Sequence, residues 1–220
     1  MFLEAILLKL GFHEKWVNLV MSCVSSIEYR VRYNSTETEA FKPSRGLRQG
    51  DPLSPYLFLL CTEGLTALLS RAENNGNLMG VKVCRDAPTV SNLLFADDSL
   101  IPMKANATNA ACLKSILDLY CSASGQLVSV EKSSFFSSPS TDVNVKAHVC
   151  SILDIMTEAL NDKYLGLPAT LGIDKSDSFQ YLIDRLVQKL MGWKERCLSS
   201  GGKEVLLKSV AQAIPTYAMS

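Results

Sequence analysis

Pairs of short segments with alternating apolar and polar residues limit most strongly how this chain can fold. The first pair, "IEYRVRYNSTETEAFKP" at residues 27–43, alternates on both sides of Asn34-Ser35, which is the pattern of an antiparallel hairpin. Further strand patterns lie near residues 79–84, 90–95 and 99–103. The last two flank a predicted turn at Asp97-Asp98. Hairpins that are segregated from helices indicate an α+β fold and not an alternating α/β sheet.

The segments between the hairpins repeat apolar residues at helical spacing. The first predicted helix covers residues 2–10 and stops at Gly11, and the second presents an apolar face from Trp16 to Val24. The remaining predicted helices cover residues 54–73, 107–122 (with its end at Gly125), 142–154, 175–196 and 203–213. Among them, "QLVSVEKSSFFSS" at residues 126–138 has the alternation of a further strand.

Composition narrows the function classes without deciding among them. The chain of 220 residues is 47% apolar and 20% charged, which is enough apolar material for a core. Its 22 basic and 22 acidic residues balance, so net charge gives no argument for a polyanionic partner. Seven scattered cysteines and only two histidines indicate reduced thiols in an intracellular protein and offer little for a zinc site. No stretch reaches the ~18 apolar residues that a membrane span needs.

Asp97 and Asp98 stand side by side between short apolar runs in "NLLFADDSL", residues 92–100. Aspartate is a common turn residue, and a plain turn is one interpretation of the pair. The usual two-residue hairpin signals are Asn-Gly and Asp-Gly, and a second carboxylate adds repulsion that a turn does not need. A divalent cation would compensate this repulsion, because Mg²⁺ prefers hard oxygen ligands and takes one or two carboxylates with water and phosphate. Both interpretations stay open on the spacing alone.

A loop rich in glycine and proline, "RGLRQGDPLSP" at residues 45–55, precedes the long helix pattern. Its glycines permit close approach of a ligand to the backbone, and its arginines next to a helix start favour phosphate. The alternative is an ordinary helix-entry loop in which Asp51 or Ser54 caps the helix.

Four motifs in one order carry a resemblance to a known family. The segments "GLRQGDPLSPYLF", "LLFADDSL", "SGQLVSVEKS" and "KYLGLP" together resemble the reverse transcriptases of non-LTR retrotransposons, the LINE-like elements common in plant genomes. The segment "GWKERCLSSGGKEVLLKSVAQAIPTYAMS" resembles the thumb-side continuation of the plant elements. The resemblance covers essentially the whole chain. It implies an incomplete polymerase palm over residues 1–160, built of antiparallel hairpins packed on helices, and a primer-grip turn with thumb-like helices over residues 161–220.

The resemblance also implies roles for individual residues. It implies two-metal nucleotidyl transfer in which Asp97 binds Mg²⁺ directly, Asp98 assists or binds more weakly, and Lys132 acts as an acid or charge stabiliser for pyrophosphate. The residues implied to line the nucleotide and template site are Arg48, Gln49, Gly50 and Phe95, and the implied primer grip is Tyr164, Leu165 and Gly166. The implied partners are an RNA template, a DNA primer and dNTPs, with no membrane and with a nuclear location by family habit.

Two departures from the family pattern limit what the isolated chain is expected to do. Relatives carry a further metal-binding aspartate just before the segment that here begins at Phe2, and Ser129 stands where relatives usually have Asn. With two of three carboxylates, weak or absent metal binding and no activity of the chain alone are expected, as is self-association through an incomplete sheet. One interpretation is therefore a polymerase fragment that needs the missing segment. The other is a non-catalytic remnant that at most binds nucleic acid or protein, and an unrelated helical module would require the motif order to be coincidence.

Overall fold

The computed structural model describes residues 2–155, 163–165, 167–168, 175–191 and 198–219. The chain divides into two compact units, residues 1–157 and residues 158–220. Each unit is described by itself.

The first unit combines helices with two-stranded hairpins. Its helices are α1 (Phe2–Lys9), α2 (Glu14–Ser25), α3 (Ser54–Asn74), α4 (Ala107–Ser124) and α5 (Val143–Leu153). Its strands are β1 (Arg32–Tyr33), β2 (Thr36–Glu37), β3 (Val81–Lys82), β4 (Thr89–Val90), β5 (Leu93–Phe95) and β6 (Asp98–Leu100). Each strand pairs antiparallel with its neighbour in sequence, as β1–β2, β3–β4 and β5–β6. The predicted α+β fold and the predicted helices of this unit are confirmed.

The core of this unit consists of two clusters of buried residues, and helix α3 contributes to both. Its buried residues recur every three or four positions, so that they lie along one face of the helix. These residues are Leu57, Cys61, Leu65, Leu69 and Ala72. The amino-terminal part of this face packs with α1 and α2 in one cluster, and the carboxyl-terminal part packs with α4 and α5 in another. Two helix ends that the sequence predicted, Gly11 and Gly125, have left-handed φ values of 89° and 73°.

Tyr120 of α4 lies at the junction of the two clusters. Its side chain is 4% exposed, its hydroxyl donates to the Cys61 carbonyl oxygen at 3.3 Å, and its ring meets the edge of Phe2 at a centroid distance of 5.8 Å. Burial, with a smaller contribution from the nearby Cys61 thiol, raises the pKa of Tyr120 to about 12. Burial also raises the pKa of Cys61.

The strand predicted over residues 126–138 is wrong. Val130–Lys132 form a single 3₁₀ turn, and no regular strand is formed by this segment. The Ser133 side chain stabilises the turn locally, because its hydroxyl donates to the Ser129 carbonyl oxygen at 2.8 Å. Leu127 is 80% exposed, so the apolar alternation of the sequence does not correspond to a buried face here.

The strand predicted over residues 90–95 is divided between two hairpins. Its start pairs back to Val81–Lys82 as β4, and its end pairs forward as β5. The break falls at Ser91-Asn92, where a buried serine hydroxyl bonds to a side chain outside both hairpins. The sequence presents the alternation over residues 90–95 as one continuous strand, but in the structure it is split where the Ser91 hydroxyl bonds to the distant Glu73 side chain.

The second unit contains a short hairpin and further helices. Its described elements are β7 (Lys163–Tyr164), β8 (Leu167–Pro168), α6 (Lys175–Met191), α7 (Ser200–Leu206), a π-helical segment (Leu207–Ala211) and α8 (Ala213–Met219). The helix predicted over residues 175–196 is confirmed up to Met191, and residues 192–197 lie outside the described residues. The helix predicted over 203–213 has wrong bounds. Helical structure begins at Ser200, because the Ser199 hydroxyl caps it by accepting from Gly202 N, and it resumes in α8 after Gln212.

No helix within the described ranges of the two units is long and apolar enough to cross a membrane.

Candidate functional site

The β5–β6 hairpin presents the two adjacent carboxylates at its tip. Its register pairs Leu93 with Leu100, Leu94 with Ser99 and Phe95 with Asp98. The two turn residues are therefore Ala96 and Asp97, and Ala96 adopts a φ of 50°. The predicted turn at Asp97-Asp98 is wrong by one residue, since Asp98 is the first residue of β6. The residue types favoured a turn at Asp97-Asp98 over one at Ala96-Asp97, because aspartate tolerates a left-handed backbone better than alanine does.

Both carboxylates are open to solvent. Asp97 and Asp98 are exposed, and neither carboxylate forms a hydrogen bond or ion pair with a described residue. Phe95, opposite Asp98, is 58% exposed. Two consecutive carboxylates without a protein cation keep their oxygen atoms available for a divalent cation. No group of three or more histidine, cysteine, aspartate or glutamate residues that could hold a metal ion occurs among the described residues.

The loop before α3 keeps its polar residues at the surface. Arg48, Gln49 and Gly50 are exposed, and Gly50 has a φ of 85°. Leu47 packs against the cluster formed by α1, α2 and the start of α3, and so fixes the loop at one point. The loop thus offers an arginine, an amide and an accessible backbone beside a helix start.

The predicted cap of α3 is corrected. The N-cap position is Leu53, which offers no side-chain hydrogen bond. Asp51 lies two residues before this position, and its carboxylate accepts from Leu53 N at 2.8 Å. Asp51 therefore stabilises the turn that leads into the helix. Pro52 and Pro55, which flank this start of the helix, have no backbone N–H for a capping side chain to accept from.

Lys132 and the primer-grip residues lie on other segments. Lys132 ends the 3₁₀ turn and is exposed, and no hydrogen bond or ion pair in the described ranges joins it to Asp97 or Asp98. Tyr164 ends β7 and pairs with Leu167, and Leu165 follows with a φ of 51°. Gly166 lies outside the described residues. The structure therefore places the predicted residues on four separate segments and brings Phe95, Asp97 and Asp98 together on one.

Residues that the sequence interpretation missed lie at the entrance to the hairpin. Ser91 is 7% exposed and donates to a Glu73 carboxylate oxygen at 2.7 Å, and the Asn92 side-chain nitrogen is buried without a hydrogen-bond partner. One sequence signal was available. Glu73 falls in the last turn of a predicted helix, where a negative charge is unfavourable unless it has a tertiary partner.

Comparison with known proteins identifies the family of the chain. The family model described as reverse transcriptase (RNA-dependent DNA polymerase) matches residues 3–183, which include the loop, the hairpin and Lys132. The chain belongs to the reverse transcriptase family. The resemblance to non-LTR retrotransposon reverse transcriptases that the motifs carried is thereby confirmed.

Two relatives support the same placement. An uncharacterized mitochondrial protein of Arabidopsis thaliana is 61% identical over 57 residues, which are 26% of this chain and 47% of the relative. A retrovirus-related Pol polyprotein from the type-1 retrotransposable element R2 of Nasonia vitripennis is 36% identical over 84 residues, 38% of this chain and 7% of the relative. The matched segments thus span less than half the length of either relative.

Proposed function

We propose that this chain supplies the two-carboxylate part of a template-directed, Mg²⁺-dependent nucleotidyl-transfer site in an RNA-directed DNA polymerase. The observation that carries the proposal is the pair Asp97 and Asp98. The two residues are consecutive, exposed and free of protein cations at the tip of a hairpin, within the residues that the reverse transcriptase model matches.

The donor atoms of the hairpin fit Mg²⁺. This ion takes one or two carboxylates and completes its octahedral coordination with water and substrate phosphates. Asp97, in the turn, would bind the ion directly, and Asp98 would assist from the start of β6. When bound, two Mg²⁺ ions in this chemistry lower the pKa of the primer 3′-OH and compensate the charge of the leaving pyrophosphate.

Other residues would bind and orient the substrates. Gln49 and Gly50 would line the site for nucleotide and template, and Arg48 would contact phosphate. Phe95 would offer its exposed ring to a base or sugar beside the carboxylates. Lys132 would donate a proton to the leaving pyrophosphate or stabilise its negative charge.

The two parts of the chain would have different roles. Residues 1–160 would contribute the palm, and residues 161–220 would contribute thumb-like helices and the primer grip at Tyr164, Leu165 and Gly166. The substrates would be an RNA template, a DNA primer and dNTPs. The protein would act inside the cell, in the nucleus by analogy with the family, and a fluorescent fusion would test this location against a mitochondrial one.

The isolated chain is proposed to be inactive. A two-ion site needs a further carboxylate, and none of the described residues gathers with Asp97 and Asp98 to provide it. Loss of one essential group at such a site lowers the rate by several orders of magnitude. A strand carrying that carboxylate, placed before Phe2 as in family members, would complete the site.

Primer extension on a poly(rA)/oligo(dT) template with Mg²⁺ tests the proposal. The chain alone would be compared with the chain preceded by the carboxylate-bearing strand, and each would carry Asp97→Asn or the control Asp86→Asn. Asp86 is an exposed aspartate on the β3–β4 loop. We expect extension only by the lengthened chain, a loss of about a thousandfold or more with Asp97→Asn, and no change with Asp86→Asn.

Two results would contradict parts of the proposal. Extension by the unmodified chain would show that another residue completes the site. A lengthened chain that is folded but inactive would count against the assignment of Asp97 and Asp98.

A non-catalytic binding role is the second candidate. It is favoured because no third metal-ligating side chain among the described residues is gathered with Asp97 and Asp98. A gel-shift titration with an RNA–DNA hybrid, run at several salt concentrations and with or without Mg²⁺, would distinguish it. Binding that is independent of Mg²⁺ and unaffected by Asp97→Asn, together with an inactive lengthened chain, would support this role over the first.

A further inference from the structure

The β5–β6 hairpin gains no support from a third strand in the described part of the chain. Within the described residues, β5 and β6 pair only with each other. An isolated two-stranded hairpin is marginally stable in water. The direction in which its tip presents Asp97 and Asp98 must therefore be set where the chain enters and leaves the hairpin.

The chain enters the hairpin through a buried polar contact. The Ser91 hydroxyl donates to a Glu73 carboxylate oxygen at 2.7 Å, and Ser91 is 7% exposed. The contact joins the last turn of α3 to the residue between β4 and β5. A hydrogen bond to a charged acceptor in partly buried surroundings is stronger than an exposed neutral one.

The segment that follows α3 lies in close contact with the residues that lead into the hairpin. A Cβ atom added to Gly80 would lie 2.6 Å from the Val90 carbonyl oxygen, which is closer than any side chain allows. Gly80 therefore permits the backbone to approach the residue immediately before Ser91.

The chain leaves the hairpin through apolar packing and two hydrogen bonds. Ile101 and Met103 pack on the cluster formed by α3, α4 and α5. Lys104 N then donates to the Met79 carbonyl oxygen at 2.9 Å, and the Lys104 carbonyl oxygen accepts from the buried Asn109 side chain at 2.9 Å. Both ends of the hairpin are thus held to the segment between Glu73 and Gly80 or to α4.

Glu73 is an unusual residue for its place in the helix. The carboxyl-terminal end of a helix carries a partial negative charge, so a carboxylate in the last turn is unfavourable by itself. The contact with Ser91 compensates for this, and an apolar side chain would suffice if Glu73 only filled space.

We propose that Glu73 and Ser91 are positioning residues that fix the direction of the β5–β6 hairpin and thereby of the Asp97 and Asp98 carboxylates. The inference rests on the proposed function in so far as those carboxylates bind metal. The hydrogen bond holds the entrance of the hairpin, so that metal binding does not have to order it.

Hydrogen exchange of the whole chain, followed by mass spectrometry, tests the positioning directly. The variants are Ser91→Ala, Glu73→Ala, Glu73→Gln and the control Ser115→Ala, whose hydroxyl bonds to Cys112 O within α4. We expect Ser91→Ala and Glu73→Ala each to speed exchange in residues 92–103 by about tenfold, with α4 unchanged, since one hydrogen bond is lost. Glu73→Gln keeps an acceptor oxygen and should stay close to the parent chain. Combining Ser91→Ala with Glu73→Ala should add little to either alone, because both remove the same bond.

Binding of Mn²⁺ by the lengthened chain, measured by electron paramagnetic resonance, provides the functional readout. We expect Asp97-dependent binding to weaken several-fold when Ser91→Ala is introduced and to be retained with Glu73→Gln and with Ser115→Ala. Faster exchange throughout the first unit, or an unchanged hairpin in Ser91→Ala, would overturn the positioning role. If the lengthened chain bound no Mn²⁺ through Asp97 while exchange still responded as expected, the proposed function would fail and the structural role of the pair would stand.

Discussion

Phe95 lies directly opposite Asp98 in the pair that closes the β5–β6 hairpin, and its ring is 58% exposed. Large aromatic side chains are more often buried than displayed, and this one stands next to two unpaired carboxylates. Packing among the described residues therefore does not account for the aromatic residue at this position.

Replacement of Phe95 by alanine should affect function much more than stability. An exposed side chain changes the free energy of unfolding by about 0.5 kcal/mol or less, whereas loss of a stacking surface for a base costs about 1–3 kcal/mol in binding. Urea unfolding would measure the first effect, and the apparent KM for dNTP of the lengthened chain would measure the second. A large loss of stability with unchanged KM would show that the ring is structural.

Replacement of Ala96 by glycine should stabilise the first unit. Alanine pays for a φ of 50°, whereas glycine adopts it without a steric penalty, and after the entropy cost a net gain of about 0.5 kcal/mol is expected. The same change at Ala111, an exposed interior position of α4, should instead destabilise by about 1 kcal/mol. Urea unfolding of both variants gives the comparison, and equal signs would contradict the assigned turn.

Local patterns were sufficient for the helices of the first unit and for the presence of hairpins, but not for every strand boundary or for the exact turn. Gly11 and Gly125 ended helices as predicted because a left-handed cap is a property of a few consecutive residues. The turn position was wrong by one residue, since strand register is decided by pairing across the hairpin and not by the turn residues alone.

Contacts between distant residues explain what the sequence did not predict. The break at Ser91 coincides with a hydrogen bond to Glu73, 18 residues earlier, and nothing in the local alternation reveals that bond. The segment around Lys132 has the composition of a strand, but the Ser133 hydroxyl bonds to the Ser129 carbonyl oxygen and favours a turn. Assignment of Asp97 and Asp98 to metal binding came from motif order, and the geometry adds that both carboxylates are exposed and unpaired.

Replacement of Gly80 by alanine should destabilise the first unit by roughly 1–3 kcal/mol. The added Cβ would meet the Val90 carbonyl oxygen at 2.6 Å, so one of two backbone segments must move. Gly201→Ala is a matched control in the second unit, where the added atom would meet nothing within 4 Å. That change should be neutral or slightly stabilising, because alanine favours helix. Unfolding by urea would test both, and a neutral Gly80→Ala would contradict the close approach of the two segments.

Tyr120 should make the stability of the first unit depend on pH at the alkaline end. The pKa of the tyrosine is raised to about 12 in the folded protein and is ~10 in the unfolded chain. The folded state therefore binds the proton more tightly, so the stabilisation is fully present below pH ~10 and is lost as the pH rises towards 12. The loss should be on the order of 2 kcal/mol, and Tyr120→Phe should lack this part of the pH dependence. Urea unfolding of both chains between pH 8 and 11.5 measures the difference, in which the titration of other groups cancels. Parallel curves for the two chains would show that the hydroxyl is not the buried, hydrogen-bonded group described here.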